Sequence, residues 1–103
     1  MNDRISITML EDGIADVRMT RVDKMNALDG AQWNALVETI DQLKSTPGVR
    51  VVVLSGEGRA FCAGHDLKEM QAARTGPDKG AAYFADLFSR CAEVMQAIPR
   101  LPQ

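Results

Sequence analysis

"VRVVVLSGEGRAFCAGHDLKEM", residues 49–70, is the stretch on which the fold turns. Its first part, 49–56, is a nearly continuous run of apolar, β-branched residues. A strand that is apolar on both faces sits inside a sheet covered above and below. The run therefore predicts a central, buried strand. From Asp66 onward the chain turns polar, and "DLKEMQAAR" (66–74) predicts a short helix. Between strand and helix stand Gly56, Gly58 and Gly64 and the chain's single histidine, His65.

Upstream, "ISITML" (5–10) and "IADVRM" (14–19) read as strands joined by "EDG" (11–13). Asp-Gly is a strong hairpin signal. In the second strand Ala15, Val17 and Met19 share one face, and Ile14, Asp16 and Arg18 the other. "TRVDKMNALDG" (20–30) is irregular until Asp29, a good helix N-cap, with Gln32 placed to complete a capping box. Trp33, Leu36, Val37, Ile40 and Leu43 then form the stripe of an amphipathic helix, which Pro47-Gly48 closes. Downstream, "TGPDKG" (75–80) is a loop. "AAYFADLFSRCAEVMQAI" (81–98) predicts a long helix, with Phe84, Leu87, Phe88, Cys91, Met95 and Ile98 on its apolar face and Pro99 as its stop. The order is hairpin, amphipathic helix, buried strand, short helix, long helix, which is an α/β pattern.

The chain has 103 residues, so residues 1–103 hold one domain at most. With 12 basic and 14 acidic residues, the net charge is −2 and no lysine or arginine block stands out, which argues against a nucleic-acid partner. No apolar run reaches membrane-spanning length, which argues against a membrane partner. Cys62 and Cys91 lack the spacing of a metal pair, so no metal is expected. The opening "MNDRISITMLEDG" is acidic and strand-like, unlike a secretory signal or an organelle transit peptide. A cytoplasmic location is expected, with both cysteines as thiols.

The glycine stretch admits several chemistries. A dinucleotide fingerprint would need glycine where Phe61 stands, and a phosphate loop would need Gly-Lys one residue earlier than Gly64-His65. Both fail on residue identity. Cys62 as a nucleophile with His65 as base is a second reading, but Phe61 and Ala63 flank Cys62 as they would a small buried residue. A third reading uses the main chain. A sharp turn from strand to helix leaves backbone N–H groups without partners, and such preorganised donors stabilise a developing oxyanion. Gly64 permits the tight turn and the close approach of a ligand carbonyl; His65 would supply the N–H. On residue chemistry alone, a turn that binds nothing is the simpler reading.

"RVDKMNALD", the amphipathic helix after it, and "VRVVVLSGEGRAFCAGHDLKEM" together resemble the enoyl-CoA hydratase/isomerase (crotonase) superfamily. The resemblance runs through almost the whole chain and keeps the family's order of elements. It implies the N-terminal half of a crotonase-like (ββα spiral-type) fold, and an incomplete acyl-CoA domain. It also implies that the backbone N–H of His65 is the first oxyanion donor to an acyl-CoA thioester carbonyl. Ala63, Gly64, His65, Asp66, Leu67 and Lys68 would line the CoA end, with Lys24 and Ala27 as the other wall. Coenzyme A would enter as part of the substrate, with no separate cofactor. One departure is Val22, where the family often has proline. The family's second donor and its catalytic carboxylates come from later segments, so this stretch is expected to be inactive alone. Glu57, Glu69 and Glu93 read as solvated surface carboxylates. The activity implied is hydration of a 2-enoyl-CoA, a lyase reaction of fatty acid metabolism, or an isomerisation. The whole protein would form a homotrimer or a dimer of trimers. The alternative is a CoA-binding or interaction module without catalysis.

Overall fold

A computed structural model of the chain describes residues 3–103. Strands β1 (Ile5–Met9) and β2 (Ile14–Met19) form the expected hairpin, followed by helix α1 (Gly30–Lys44), strand β3 (Val51–Gly56), and helices α2 (Leu67–Arg74) and α3 (Ala81–Ala97). Asp12 and Gly13 both take positive φ in the hairpin turn, at 62° and 77°, which suits an Asp-Gly pair. β1 and β2 pair antiparallel, and β2 and β3 pair parallel, giving the sheet order β1-β2-β3. The parallel pair requires a crossover, and α1 supplies it.

The core lies between the sheet and α1. Ala15, Val17 and Met19 point inward from β2, as their alternation predicts, and meet Trp33, Leu36, Ile40 and Leu43 of α1. Trp33 is wholly buried. Burying a side chain of this class contributes roughly 1.5–3 kcal/mol or more, so the α1 stripe anchors the sheet. Asp29 caps α1 by accepting the Gln32 N–H at 2.8 Å. The return half of the capping box is not made, because the Gln32 carboxamide is buried without a partner among the described residues.

Two expectations about burial need correction. β3 is not a buried, central strand. It lies at the sheet edge, with Val51 51%, Val53 46% and Leu54 36% exposed. It pairs with β2 on one side, and among the described residues no strand pairs its other side. Nor is the expected apolar face of α3 buried throughout. Leu87 and Val94 are buried and Phe84 and Cys91 half-buried, whereas Phe88, Met95 and Ile98 are exposed. Val94, absent from the expected face, is one of its two buried residues. α3 carries apolar residues over more than one flank, and only the flank turned to α1 is covered.

Candidate functional site

Gly64 makes the strand-to-helix turn with φ 97°, in the region that L side chains avoid. A Cβ placed there would meet nothing within 4 Å among the described residues. The glycine is therefore required by backbone conformation, and the space beside it is open. On either side of His65 the main chain is tied to Leu28: the Leu28 N–H donates to the Gly64 carbonyl at 2.8 Å, and the Asp66 N–H donates to the Leu28 carbonyl at 3.0 Å. In the trans peptide between Gly64 and His65 the N–H points opposite to the carbonyl. The His65 N–H thus faces away from Leu28, and it has no hydrogen-bond partner among the described residues.

The imidazole takes a different path. Its ring packs on Trp33, with ring centroids 5.7 Å apart and planes tilted by 42°, and Nδ1 is buried without a partner among the described residues. Cys62 lines a small apolar groove with Leu28, Leu54 and Met95, the setting of a packing residue. Its sulfur accepts a long contact from the Gly64 N–H at 3.4 Å.

The two expected walls lie side by side. The Ala63 N–H donates to the Met25 carbonyl at 2.9 Å, one residue from Lys24 and two from Ala27. Lys24, Ala63, Leu67 and Lys68 are exposed; Ala27, Gly64, His65 and Asp66 are half-buried. Asp66 has a structural task as well, because its carboxylate caps α2 through the Lys68 and Glu69 N–H groups at 3.0 and 3.1 Å. None of these residues lines the apolar cleft of about 310 Å³ formed by α1, β3 and the C-terminal residues.

Two residues near the turn escaped the sequence reading. Asn26, wholly buried, donates from Nδ2 to the carbonyls of Glu57 and Ala60 at 3.1 and 3.2 Å. Its position in a polar loop hides this; an asparagine between two hydrophobics, Met25 and Ala27, was the available signal. Glu69 is not a solvated surface carboxylate. Both its oxygens accept the Gly30 N–H at 3.1 Å, and it accepts the Tyr83 hydroxyl at 2.8 Å. It thereby holds the N-terminus of α1, where the helix dipole favours an anion. Burial, and then the hydrogen bond to Glu69, push the Tyr83 hydroxyl pKa well above its ordinary value. Among the described residues no group of three or more metal-binding side chains comes together, and no helix is long and apolar enough to cross a membrane.

The sequence and the fold of this α/β chain point to one class of relatives. The family profile described as Enoyl-CoA hydratase/isomerase matches residues 9–97, and the chain belongs to that family. It is similar to an enoyl-CoA hydratase from Mycobacterium smegmatis, with 42% identity and a TM-score of 0.86 over 98% of this chain and 37% of that one. It is similar also to mouse "Enoyl-CoA hydratase domain-containing protein 3, mitochondrial", 33% identical over 99 residues (96% of this chain, 31% of that protein). Mouse "Delta(3,5)-Delta(2,4)-dienoyl-CoA isomerase, mitochondrial" is 29% identical over 106 residues (98% of this chain, 32% of that protein). The chain thus spans about a third of the length of these relatives. The crotonase-like fold expected from the sequence is the fold observed. The cytoplasmic location is overturned, since these curated relatives are named as mitochondrial. An acidic, strand-like opening reports how that stretch folds and carries no information on compartment.

Proposed function

We propose that the chain is the N-terminal part of an acyl-CoA enzyme, and that the His65 N–H donates to the substrate's thioester carbonyl. One observation carries this reading: that N–H is held outward, without a partner among the described residues, between two neighbours bonded to Leu28. A donor fixed before the reaction stabilises charge on the carbonyl oxygen as it develops, to the extent of a few kcal/mol. The polarised thioester then accepts electron density from its α-carbon as an enolate. Addition of water across the double bond of a 2-enoyl-CoA, or migration of that double bond, passes through this species. Lys24 and Ala27 on one side, and Ala63, Gly64, Leu67 and Lys68 on the other, form the shelf proposed for coenzyme A. The two lysines are exposed and suit its phosphates. The proposal includes a homotrimer or dimer of trimers for the whole protein.

The acid and base are proposed to lie outside this chain. The carboxylates beside the turn already have structural partners: Asp66 caps α2, Glu69 holds α1 and Tyr83, and Asp29 holds Arg4 and Arg21. The purified chain is therefore expected to show no hydration of a short 2-enoyl-CoA, followed by loss of the enoyl-thioester absorbance. Turnover there would refute the placement of the acid and base.

The donor is tested with acetyl-CoA isotope-labelled at the carbonyl carbon. Binding is expected to move the carbonyl resonance downfield. His65→Ala retains the N–H and should keep the shift, whereas His65→Pro removes it and should abolish the shift. Because this N–H makes no hydrogen bond among the described residues, the proline variant should still fold, as its circular dichroism would report. An unchanged shift in His65→Pro would sink the donor role. Calorimetric CoA binding without any carbonyl shift would favour the non-catalytic module instead.

A further inference from the structure

We propose that Asn26 is the positioning residue for the His65 donor, an inference that rests on the oxyanion reading above. Asn26 is wholly buried although it belongs to a loop. Its carboxamide nitrogen donates to Glu57 O and Ala60 O, two carbonyls of the turn that follows β3. Both acceptors are carbonyls, so the nitrogen must face them. Gly56 makes room for this contact: a Cβ there would lie 2.9 Å from Asn26 Nδ2 and 2.3 Å from the Phe61 carbonyl.

The backbone of Asn26 completes the grip. Its φ of 57° is left-handed, a conformation that asparagine accepts more readily than most residues. The Asn26 N–H donates to the Arg21 carbonyl at 2.9 Å, while the carbonyl just before it, on Met25, receives the Ala63 N–H at 2.9 Å. Two residues later comes Leu28, which binds on both sides of His65. The loop through residues 25–28 thus grips the turn at Glu57, Ala60, Ala63, Gly64 and Asp66 in succession. Among the described residues, the Asn26 carboxamide makes the side-chain hydrogen bonds in this series. It holds the start of the turn, and Leu28 holds its end; the direction of the His65 N–H follows from both.

Amide hydrogen exchange on the 103-residue chain tests this without a ligand. Asn26→Gly removes the carboxamide and still accepts a positive φ. Asn26→Asp keeps the shape but turns oxygen toward two carbonyls. Both should accelerate exchange at Leu28, Ala63 and Asp66 by about tenfold or more, the loss expected for two hydrogen bonds, with Asn26→Asp the more severe. Core amides of Val17 and Leu36 should keep their protection. Unchanged exchange at Leu28, Ala63 and Asp66 would overturn the proposal, as would an equal loss at Val17 and Leu36. Labelled acetyl-CoA supplies the second arm. A carbonyl shift present in wild type and lost in Asn26→Gly supports the positioning role; a shift that survives in Asn26→Gly overturns it. A missing shift in wild type, together with the expected exchange pattern, defeats the donor reading and leaves Asn26 as a loop clamp alone.

Discussion

Asp29 uses two oxygens for three partners. Oδ1 accepts from Arg4 at 2.7 Å and from the Gln32 N–H at 2.8 Å, and Oδ2 accepts from Arg21 at 2.7 Å. Burial pushes its carboxyl pKa up, but the Gln32 N–H and the two guanidinium groups outweigh that and leave it below the ordinary carboxylate value. A depressed folded pKa means that this contribution is whole above about pH 4. It is lost as pH falls through the folded value. Asp29→Ala should cost about 2–4 kcal/mol at neutral pH, from the lost cap and the lost charge-assisted hydrogen bonds to Arg4 and Arg21. It should also flatten the acid side of a pH–stability profile, measured by urea titration. The cap was legible from the residue's position before an amphipathic run. The arginines were not, because Arg4 lies 25 residues away and only the folded sheet brings it near.

At the scale of elements, α2 stands apart because it buries no residue of its own. It is held by half-buried Met70, which packs against the core, and by Glu69, which spans from α2 to the first residue of α1 and to Tyr83 near the start of α3. Tyr83→Phe should cost about 1–2 kcal/mol, since it removes a hydrogen bond to a charged acceptor. The raised tyrosine pKa sets the sign of a second effect. The folded state holds this proton more tightly than the unfolded chain does. Its contribution is whole below about pH 10 and is lost as pH rises toward the folded value. Tyr83 is the sole tyrosine, so phenolate absorbance reports it directly. Titration at the ordinary value would contradict the Glu69 contact. Helix α2 itself could be read from Asp66 and the charged run after it. The task of Glu69 could not, because a half-buried carboxylate and a solvated one look alike in sequence.

The whole molecule is extended, 51 × 27 × 20 Å, with a radius of gyration of 15.0 Å. A compact chain of this length would have about 13 Å. Its accessible surface is 6609 Å², against roughly 5,700 Å² for a compact monomer of the same mass. Much of the apolar part lies on β3 and on the uncovered flank of α3. An exposed apolar edge strand is a template for association. Val51→Lys with Val53→Lys should therefore lower self-association in sedimentation experiments. The melting temperature should barely move, because both side chains are about half exposed. A large fall in melting temperature would mean that β3 is covered after all.

Hairpin, the cap of α1 and the strand-to-helix turn were legible in the residues because each depends on neighbours a few positions away: Asp12-Gly13, Asp29, Gly64. The family motif around His65 was legible for the same reason. Tertiary structure alone decided that β3 is an edge, which flank of α3 meets α1, and that Asn26 and Glu69 tie separate segments together. It also set the His65 N–H outward while the imidazole turned to Trp33. Each of these outcomes depends on which distant surface, or none, lies opposite a residue, and periodicity and turn chemistry carry no record of that.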